Sequence, residues 1–234
     1  MTKTAFKPGT MLNPVPAVMV SCGKDKPNIV TVAWTGIVNS EPPMTYISLR
    51  KERYSHGIIS REKEFVINLT TKDLAFATDW CGVRSGRDCD KWKEQNLTPQ
   101  QSRTVGCPGI EESPVNIECR VTQVLELGSH DMFLAEIVAV TVDEGLIDAD
   151  GSLRLDRAGL IAYNHGHYYP LDNRELGRFG FSVMKPRTRK RYEAQKQGRN
   201  RDAHRGADKR KRQSKSGGTR NGEEKEKQNR RKGR

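Results

Sequence analysis

The 234-residue sequence has no hydrophobic run approaching the ~20 consecutive apolar residues that a membrane-spanning helix needs. Its first residues, Met-Thr-Lys-Thr-Ala-Phe-Lys, do not form a hydrophobic signal segment. The five cysteines are odd in number and include no Cys-x-x-Cys pair, which argues against a disulfide framework and against a zinc ribbon. We therefore expect a soluble, cytoplasmic protein whose thiols are buried or free.

Several ligand-binding motifs are also missing. The sequence has no G-x-G-x-x-G after a predicted strand, no G-x-x-x-x-G-K-[ST], no G-x-S-x-G and no H-E-x-x-H, and it has no internal repeat. The common nucleotide-binding loops, esterases and zinc proteases therefore have no support from the sequence. Any ligand must be held by another arrangement of residues.

Charge is unevenly distributed along the chain. Residues 185–234, the basic tail, contain 21 basic and 6 acidic residues, a net charge of +15, whereas residues 1–184 carry −3. Because the tail has too few apolar side chains to offset the entropy of ordering, we predict that it is disordered and that residues 1–184 form one domain. The tail could bind RNA weakly and without sequence specificity through phosphate neutralisation, or it could be a solubilising extension with no dedicated partner.

The pattern of residues 1–184 is mainly β with short helices. Runs rich in β-branched residues alternate with turn formers, and the two longest runs are joined by the short connection Gly128–Asp131. The predicted strands are Val15–Ser21, Ile29–Trp34, Thr45–Leu49, Phe65–Leu69, Val115–Leu127 and Phe133–Val142. The predicted helices are Ser55–Glu62 and Asp73–Trp80. No βαβ alternation is present, so we expect a closed or partly closed antiparallel barrel.

Two segments could hold an anion. Ile47–His56 ends a predicted strand in hydroxyls and cations just before a helix N-terminus, whose backbone N–H groups favour a phosphate. Cys81–Trp92 combines Gly, Ser and Arg in a loop that an anion could approach closely. Each could instead be a solvated basic turn or a loop without a ligand.

The histidines form a third group of candidates. If His165 and His167 lay on a strand, both rings would point to one face and could bind a metal, but no acidic or cysteine partner stands at a supporting spacing. We predict instead a turn at Gly166 with exposed histidines, and no metal site. His130 could act as a general acid, contact a ligand or cap its hairpin.

Short segments between Pro14 and Val183 stand in an order and spacing that are similar to those of a known protein family. The segments are Asn28–Trp34, Glu41–Pro43, Ser48–His56, Glu64–Leu69, Cys81–Gly82, Ser85–Gly86, Asp90–Lys91, Ile117–Cys119, Gly128–Phe133 and Leu176–Val183. Together they resemble the flavin reductase-like, FMN-binding split-barrel family, and most closely its flavoredoxin branch.

The resemblance implies a six-stranded antiparallel Greek-key split barrel that forms a homodimer and binds one FMN per subunit. By that resemblance, the isoalloxazine ring would be lined by Thr31, Val32, Ala33 and Trp34. The ribityl chain and phosphate would be contacted by Ser48, Arg50, Ser55 and His56, and the phosphate or the polar edge of the ring by Ser85 and Lys91. The candidate catalytic residue, near a bound nicotinamide or acceptor, would be His130.

The resemblance also sets the functional hypotheses. FMN would carry the redox chemistry, so that no catalytic triad or metal cluster is required. The leading hypothesis is an oxidoreductase that takes electrons from NADH, NADPH or a protein donor and passes them through FMN to a flavin, ferric or protein acceptor. The alternatives are a flavoredoxin-like electron carrier without NAD(P)H turnover, a flavin storage or sensor protein, and a nucleic-acid-associated protein that acts through the basic tail.

Overall fold

The computed structural model describes residues 1–172 and 174–192. The chain divides into two units, and the first, which ends at residue 173, contains all the strands of the described residues. The described residues of the second unit form the 3-10 turn Phe181–Val183 and helical residues 186–192. The disorder predicted for the basic tail lies outside the described residues from residue 193 onward, and the domain boundary predicted at residue 184 stays a prediction.

The first unit is built mainly of strands, with short helices between them. The strands are β1 (Val15–Pro16), β2 (Val18–Cys22), β3 (Asn28–Val32), β4 (Thr35–Ser40), β5 (Pro43–Arg50), β6 (Glu64–Leu69), β7 (Pro99–Gln100), β8 (Gly109–Ile110), β9 (Val115–Glu126), β10 (His130–Val142), β11 (Ile161–Asn164) and β12 (His167–Pro170). The helices are α1 (Tyr54–Glu62), α2 (Ala75–Val83) and α3 (Lys91–Glu94), and the 3-10 turns are Glu144–Leu146 and Leu155–Arg157. Among residues 1–172 and 174–192, no helix is long and apolar enough to cross a membrane.

The main sheet curls into a nearly closed antiparallel barrel. Its strand order is β3-β2-β6-β9-β10-β5-β4, so the two edge strands are consecutive in sequence and are joined by Ala33 and Trp34. The backbone N–H of Ser48 donates to the carbonyl of Trp34 at 2.9 Å, which ties this link to β5. The predicted six strands become seven because a further strand, β4, follows the bend at Ala33 and Trp34. The mainly β fold with short helices is confirmed.

Some local predictions differ from the structure. The predicted strand Val15–Ser21 divides into β1 and β2, and β4 was not predicted because it is mostly exposed and lacks a buried alternating face. The hairpin of β11 and β12 turns at His165 and Gly166, which both have positive φ, and His165 and His167 are exposed as predicted. A glycine suits this turn because it adopts the left-handed region without strain.

Strand alternation separates the barrel interior from its outer face. In β10, Asp131, Phe133 and Ala135 are buried, and the residues between them are only partly buried. In β5 the buried set is Thr45, Ile47 and Leu49. Because successive side chains of a strand point to opposite faces, Ser48, Arg50 and His130 belong to the outer face.

Candidate functional site

A first cavity, about 400 Å³ in volume, lies against the outer face of the barrel, and we call it the strand cavity. Seven of the predicted site residues line it: Thr31, Val32, Ala33, Trp34, Ser48, Arg50 and His130. The strand register explains this grouping. His130 pairs with Arg50, and Met132 pairs with Ser48, in the β10–β5 ladder, so that Ser48, Arg50 and His130 share one face.

Trp34 and His130 form one side of the strand cavity. Their ring centroids are 4.4 Å apart with an interplanar angle of 39°, and Ser129 Oγ lies 2.9 Å from His130 Nδ1. Burial lowers the pKa of His130, and the nearby positive charge of Arg50 lowers it further. The imidazole is therefore neutral at pH 7 and can accept as well as donate a hydrogen bond.

Helix α2 and the β11–β12 hairpin form the opposite side of the strand cavity. The Thr31 hydroxyl donates to the carbonyl of Thr78, which fixes α2 against β3. Tyr163 and Tyr168 pack edge to face with centroids 5.4 Å apart. Burial raises the pKa of Tyr168 to about 12, and a hydrogen bond to Asp79 contributes to the shift. Tyr168 is therefore a neutral donor at physiological pH.

A second cavity, about 460 Å³ in volume, lies beside the first, and we call it the cation pocket. Four cationic side chains line it: Arg53, Arg84, Arg87 and Lys91. Its carboxylate, Glu52, lies 3.6 Å from Arg50 in an ion pair. Helix α1 begins at this pocket with no side chain capping its first turn, so its backbone N–H groups are available to an anion.

Arg53 links the two cavities because it lines both of them. It precedes α1, and its guanidinium Nη1 donates to the carbonyl of Gly82 at 2.9 Å. A ligand with a flat ring in the strand cavity and an anionic group in the cation pocket would therefore pass this arginine.

Lys91 gives the strongest indication that the cation pocket binds an anion. Its residue is 3% exposed, and its Nζ donates to the carbonyls of Ile29 and Cys81, each at 2.7 Å. Among the described residues, no carboxylate forms an ion pair with this ammonium. Burial lowers the pKa of Lys91. A buried ammonium with only neutral partners is costly, and a phosphate in the adjoining pocket would compensate its charge.

Two further predicted phosphate contacts, Ser55 and Ser85, lie in the same pocket. Asn28 Nδ2 donates to Ser55 Oγ at 2.8 Å, and Ser85 lies in the loop opposite. A Cβ at Gly86 would lie only 2.0 Å from Asn28 Oδ1, so this position requires glycine to keep the Asn28–Ser55 pair. The cation pocket thus brings together Ser55, Ser85 and Lys91.

His56 was predicted to lie along the cofactor, but it lines neither cavity. Its Nε2 lies 2.8 Å from Asp131 Oδ2, and its ring packs edge to face on Phe133. Lys51 Nζ lies 3.4 Å from the other Asp131 oxygen, an ion pair without good hydrogen-bond geometry. Burial alone would raise the pKa of Asp131, but the hydrogen bond from His56 and the positive charge of Lys51 outweigh burial and lower it. The structure therefore gives His56 a role in holding α1 on β10.

The cysteines and histidines of the described residues do not form a metal centre. The five cysteines are free, and burial raises the pKa of Cys81 to about 11 and that of Cys22 to about 12, so both stay protonated at pH 7. Within the described part of the chain, no group of three or more His, Cys, Asp and Glu residues could hold a metal ion.

The sequence analysis predicts no role for several residues that line the two cavities. They are Arg53, Asp79, Tyr163 and Tyr168 in the strand cavity, with Arg84 and Arg87 in the cation pocket. The three arginines fall inside the two segments singled out for anion binding, so their residue type was an available signal. The tyrosines reach the cavity only because the β11–β12 hairpin pairs with β1, a contact that no local pattern indicates.

The two cavities fit the chemistry of FMN. A phosphate requires cations and N–H donors, which the cation pocket supplies, and a flat heteroaromatic ring requires apolar walls with a few polar groups. The strand cavity supplies such walls through Val32, Ala33 and Trp34, and polar groups through Ser48 and His130.

Comparisons with known proteins identify the family of this chain. Residues 10–172 match the family model described as flavin reductase like domain. A protein of Archaeoglobus fulgidus is 31% identical over 137 residues, which cover 58% of this chain and 77% of that protein. A Streptomyces viridifaciens protein named NADPH-flavin oxidoreductase is 26% identical over 110 residues, 46% of this chain and 56% of that protein.

Solved structures share the fold. The flavoredoxin of Desulfovibrio vulgaris (Miyazaki F) superposes with a TM-score of 0.73 and 28% identity, covering 78% of this chain and 100% of that one. An FMN-binding protein of Thermus thermophilus superposes with a TM-score of 0.64 and 24% identity, covering 76% and 98%, which supports the fold. The chain therefore belongs to the flavin reductase-like, FMN-binding split-barrel family, within its flavoredoxin branch.

Proposed function

We propose that this protein binds FMN with the isoalloxazine ring in the strand cavity and the phosphate in the cation pocket, and that it is an oxidoreductase. The buried Lys91 ammonium, which has only neutral partners among the described residues, is the observation that carries the proposal. When bound, FMN supplies hydride or single-electron transfer. The protein supplies binding, orientation and local charge.

Each predicted residue that lines one of the two cavities then has a physical task. Thr31 to Trp34 wall the ring, and Ser48 and Arg50 offer hydrogen bonds at its edge and along the ribityl chain. Ser55, Ser85 and Lys91 hold the phosphate together with the first N–H groups of α1. Neutral His130 lines the strand cavity, where it can hold or accept a proton beside the second substrate.

The electron donor is proposed as NADH, NADPH or a protein, and the acceptor as a flavin, a ferric ion or a protein. The name of the Streptomyces viridifaciens relative favours a nicotinamide donor, and the flavoredoxin neighbour favours a carrier with a protein redox partner. An absorbance spectrum of the FMN-loaded protein, followed by anaerobic NADH and then NADPH, separates the two. Bleaching of the flavin bands by one nucleotide establishes a reductase and its donor. Bleaching by dithionite alone establishes a carrier, and a protein that binds no FMN refutes the proposal.

A homodimer in the cytoplasm completes the proposal. Edge strand β4 exposes Ile37 and Val38, at 70% and 48%, close in sequence to Trp34 of the strand cavity. An apolar edge of this kind suits burial against a second copy. Five free thiols are typical of a reducing compartment. Light scattering tests the stoichiometry, since Ile37→Glu should convert a dimer to a monomer, whereas a monomeric wild type would contradict it.

A second candidate function, RNA binding by the basic tail, has the +15 charge of residues 185–234 as its support. Filter binding at increasing salt should show weak RNA affinity that falls steeply with salt. Deletion of residues 185–234 should remove this binding and leave the affinity for FMN unchanged. Equal RNA binding by the shortened protein would contradict a role for the tail.

A further inference from the structure

The outer face of helix α2 is apolar and exposed. Phe76 is 76% exposed and Val83 is 72% exposed, and Trp80 lies between them and is partly buried. Because these three residues stand at positions i, i+4 and i+7, they lie along one face of the helix, which we call the α2 stripe. The other face, which includes Ala77 and Cys81, is buried. An exposed apolar surface that the core does not use is typical of an interaction site.

The α2 stripe reaches the strand cavity. Val83 belongs to both, because it lines this cavity and is also exposed. Behind the stripe, α2 packs closely on Thr31, which lines the cavity as well: a Cβ at Gly82 would lie 3.1 Å from the Thr31 Cβ. A molecule seated on the stripe would therefore be separated from the strand cavity by α2 alone, a helix about 10 Å across. The stripe is placed for the exchange of electrons with a ring in that cavity.

Two exposed arginines stand at the C-terminal end of the α2 stripe. The guanidinium carbon of Arg84 lies 5.9 Å from the centroid of the Trp80 ring, and Arg53 donates to a backbone carbonyl at the end of α2. The one charged residue within α2 itself is Asp79, which forms a hydrogen bond with Tyr168. Aromatic side chains and arginines are the residue types that contribute most of the binding energy at protein interfaces.

The charge around the α2 stripe favours an acidic partner. The cation pocket, which contains both arginines, has four cationic side chains and one carboxylate, Glu52. A bound phosphate carries about two negative charges at pH 7, so a positive excess remains when the pocket is occupied. The whole chain carries a net charge of +12, which attracts an acidic protein over long range.

We propose that the α2 stripe is the docking surface for an acidic electron-transfer protein, whose apolar centre contacts Phe76 and Trp80 and whose carboxylates face Arg53 and Arg84. This inference rests on the proposed function, because the partner exchanges electrons with a flavin ring in the strand cavity. Two molecules of a one-electron donor would be oxidised for each FMN that takes up two electrons, with two protons drawn from the solvent. A second copy of this chain is the competing occupant of the stripe, and the experiment separates the two.

The docking surface is tested by an NMR titration of ¹⁵N-labelled, flavin-free, full-length protein. The probe is oxidised plant-type ferredoxin, a small acidic iron–sulfur protein that carries one electron. The chain has three tryptophans, and the indole N–H signal that Trp80→Phe removes is that of Trp80. Ferredoxin should shift this signal saturably, with an affinity that falls as the salt concentration rises. The signal of Trp92, which is buried, should not move.

Phe76→Ala should weaken the binding of ferredoxin about tenfold, as expected for the loss of an aromatic residue at the centre of an interface. Phe6→Ala removes another exposed phenylalanine, outside α2, and is the matched control that should bind ferredoxin as the wild type does. A Trp80 signal that ferredoxin leaves unmoved, or equal affinities of the two variants, would overturn the proposal. A dimeric wild type and a monomeric Phe76→Ala variant in light scattering would also overturn it, because a second copy would then cover the stripe.

Electron transfer is tested by anaerobic stopped-flow absorbance of the FMN-loaded protein. Ferredoxin that has been reduced and then freed of its reductant should bleach the flavin bands, and below saturation the rate should be about tenfold lower in Phe76→Ala. Dithionite should bleach the wild type and the variant at equal rates. Binding of ferredoxin without bleaching, or equal rates with ferredoxin, would overturn the proposal. A protein that binds no FMN would refute the proposed function separately, because the NMR titration uses flavin-free protein.

Discussion

The strand cavity and the cation pocket share Arg53, yet they are built in different ways. The strand cavity is formed by strand register: Ser48, Arg50 and His130 meet because β5 and β10 pair and alternate their faces. The cation pocket is formed by residue type at a helix N-terminus and a glycine-containing loop, where arginines surround the buried Lys91. Under the proposed function, the strands would therefore recognise the flavin ring and the loops would recognise the phosphate.

Among the substitutions considered, that of Lys91 should have the largest effect on the difference between the two cavities. Lys91→Met removes the buried ammonium, so FMN affinity should fall about 100-fold, the loss expected when charge-assisted hydrogen bonds to a phosphate are removed. Riboflavin has no phosphate and should bind with unchanged affinity. Fluorescence titration of the flavin-free proteins with both ligands measures the ratio of the FMN affinity to the riboflavin affinity.

Lys93→Met is the matched control, because Lys93 is exposed and lies only two residues away. Lys93→Met should change neither the affinity for FMN nor the affinity for riboflavin. The melting temperature of Lys91→Met should also be recorded, since Lys91 holds the carbonyls of Ile29 and Cys81. Equal losses for FMN and riboflavin would mean that Lys91 supports the fold and does not recognise the phosphate.

The His56–Asp131 pair should affect stability and leave the cavities intact. Asp131→Asn should lower the free energy of unfolding at pH 7 by about 2 kcal/mol, a typical value for hydrogen bonds to a charged group. Because the folded-state pKa of Asp131 is below the ordinary 3.8, its contribution is present above that value and is lost as the pH falls through the lowered pKa. Urea unfolding at pH 7 and pH 3 should therefore show a smaller difference at pH 3.

Glu41→Gln, at an exposed position, serves as the control for Asp131→Asn. Both variants should bind FMN as the wild type does. A loss of FMN affinity in Asp131→Asn with normal stability would show that the His56 region takes part in cofactor binding after all.

Substitution of Trp34 tests whether the strand cavity binds the flavin ring. Trp34→Ala removes a wall of the strand cavity, and we expect affinity for both FMN and riboflavin to fall about tenfold, as for the loss of one aromatic contact. Phe76→Ala removes an exposed aromatic ring of α2 and should have no effect. If the affinity for FMN falls and the affinity for riboflavin does not, the flavin ring does not lie in the strand cavity.

His130 should control the pH dependence of turnover, provided that the protein is a reductase. Its pKa is lowered from 6.5, so the neutral form persists below that pH, and the rate should fall about tenfold per pH unit only under the lowered pKa. His130→Gln cannot titrate and should lack this limb. Steady-state oxidation of NADH or NADPH between pH 5 and pH 8 measures both profiles. The same limb in the variant would assign it to another group.

The parts of the site that could be predicted from the sequence are those that depend on residue type or resemblance. Ser85 and Lys91 fall in a loop whose composition suits an anion, and Thr31 to Trp34 follow from the family resemblance. His56 was predicted as a cofactor contact, and its pairing with Asp131 was not predicted, because Asp131 faces the barrel interior only through the alternation of β10. Tyr168 escaped prediction because its position depends on a hairpin that returns from distant sequence. Local patterns carry no information on such pairings.

The affinities of the flavin-free, full-length protein for FMN and for riboflavin test the central claim most directly. The account predicts that one FMN binds per subunit, about 100-fold more tightly than riboflavin, because only FMN places an anion beside Lys91. Equal affinities for the two flavins, or no binding of either, would contradict it.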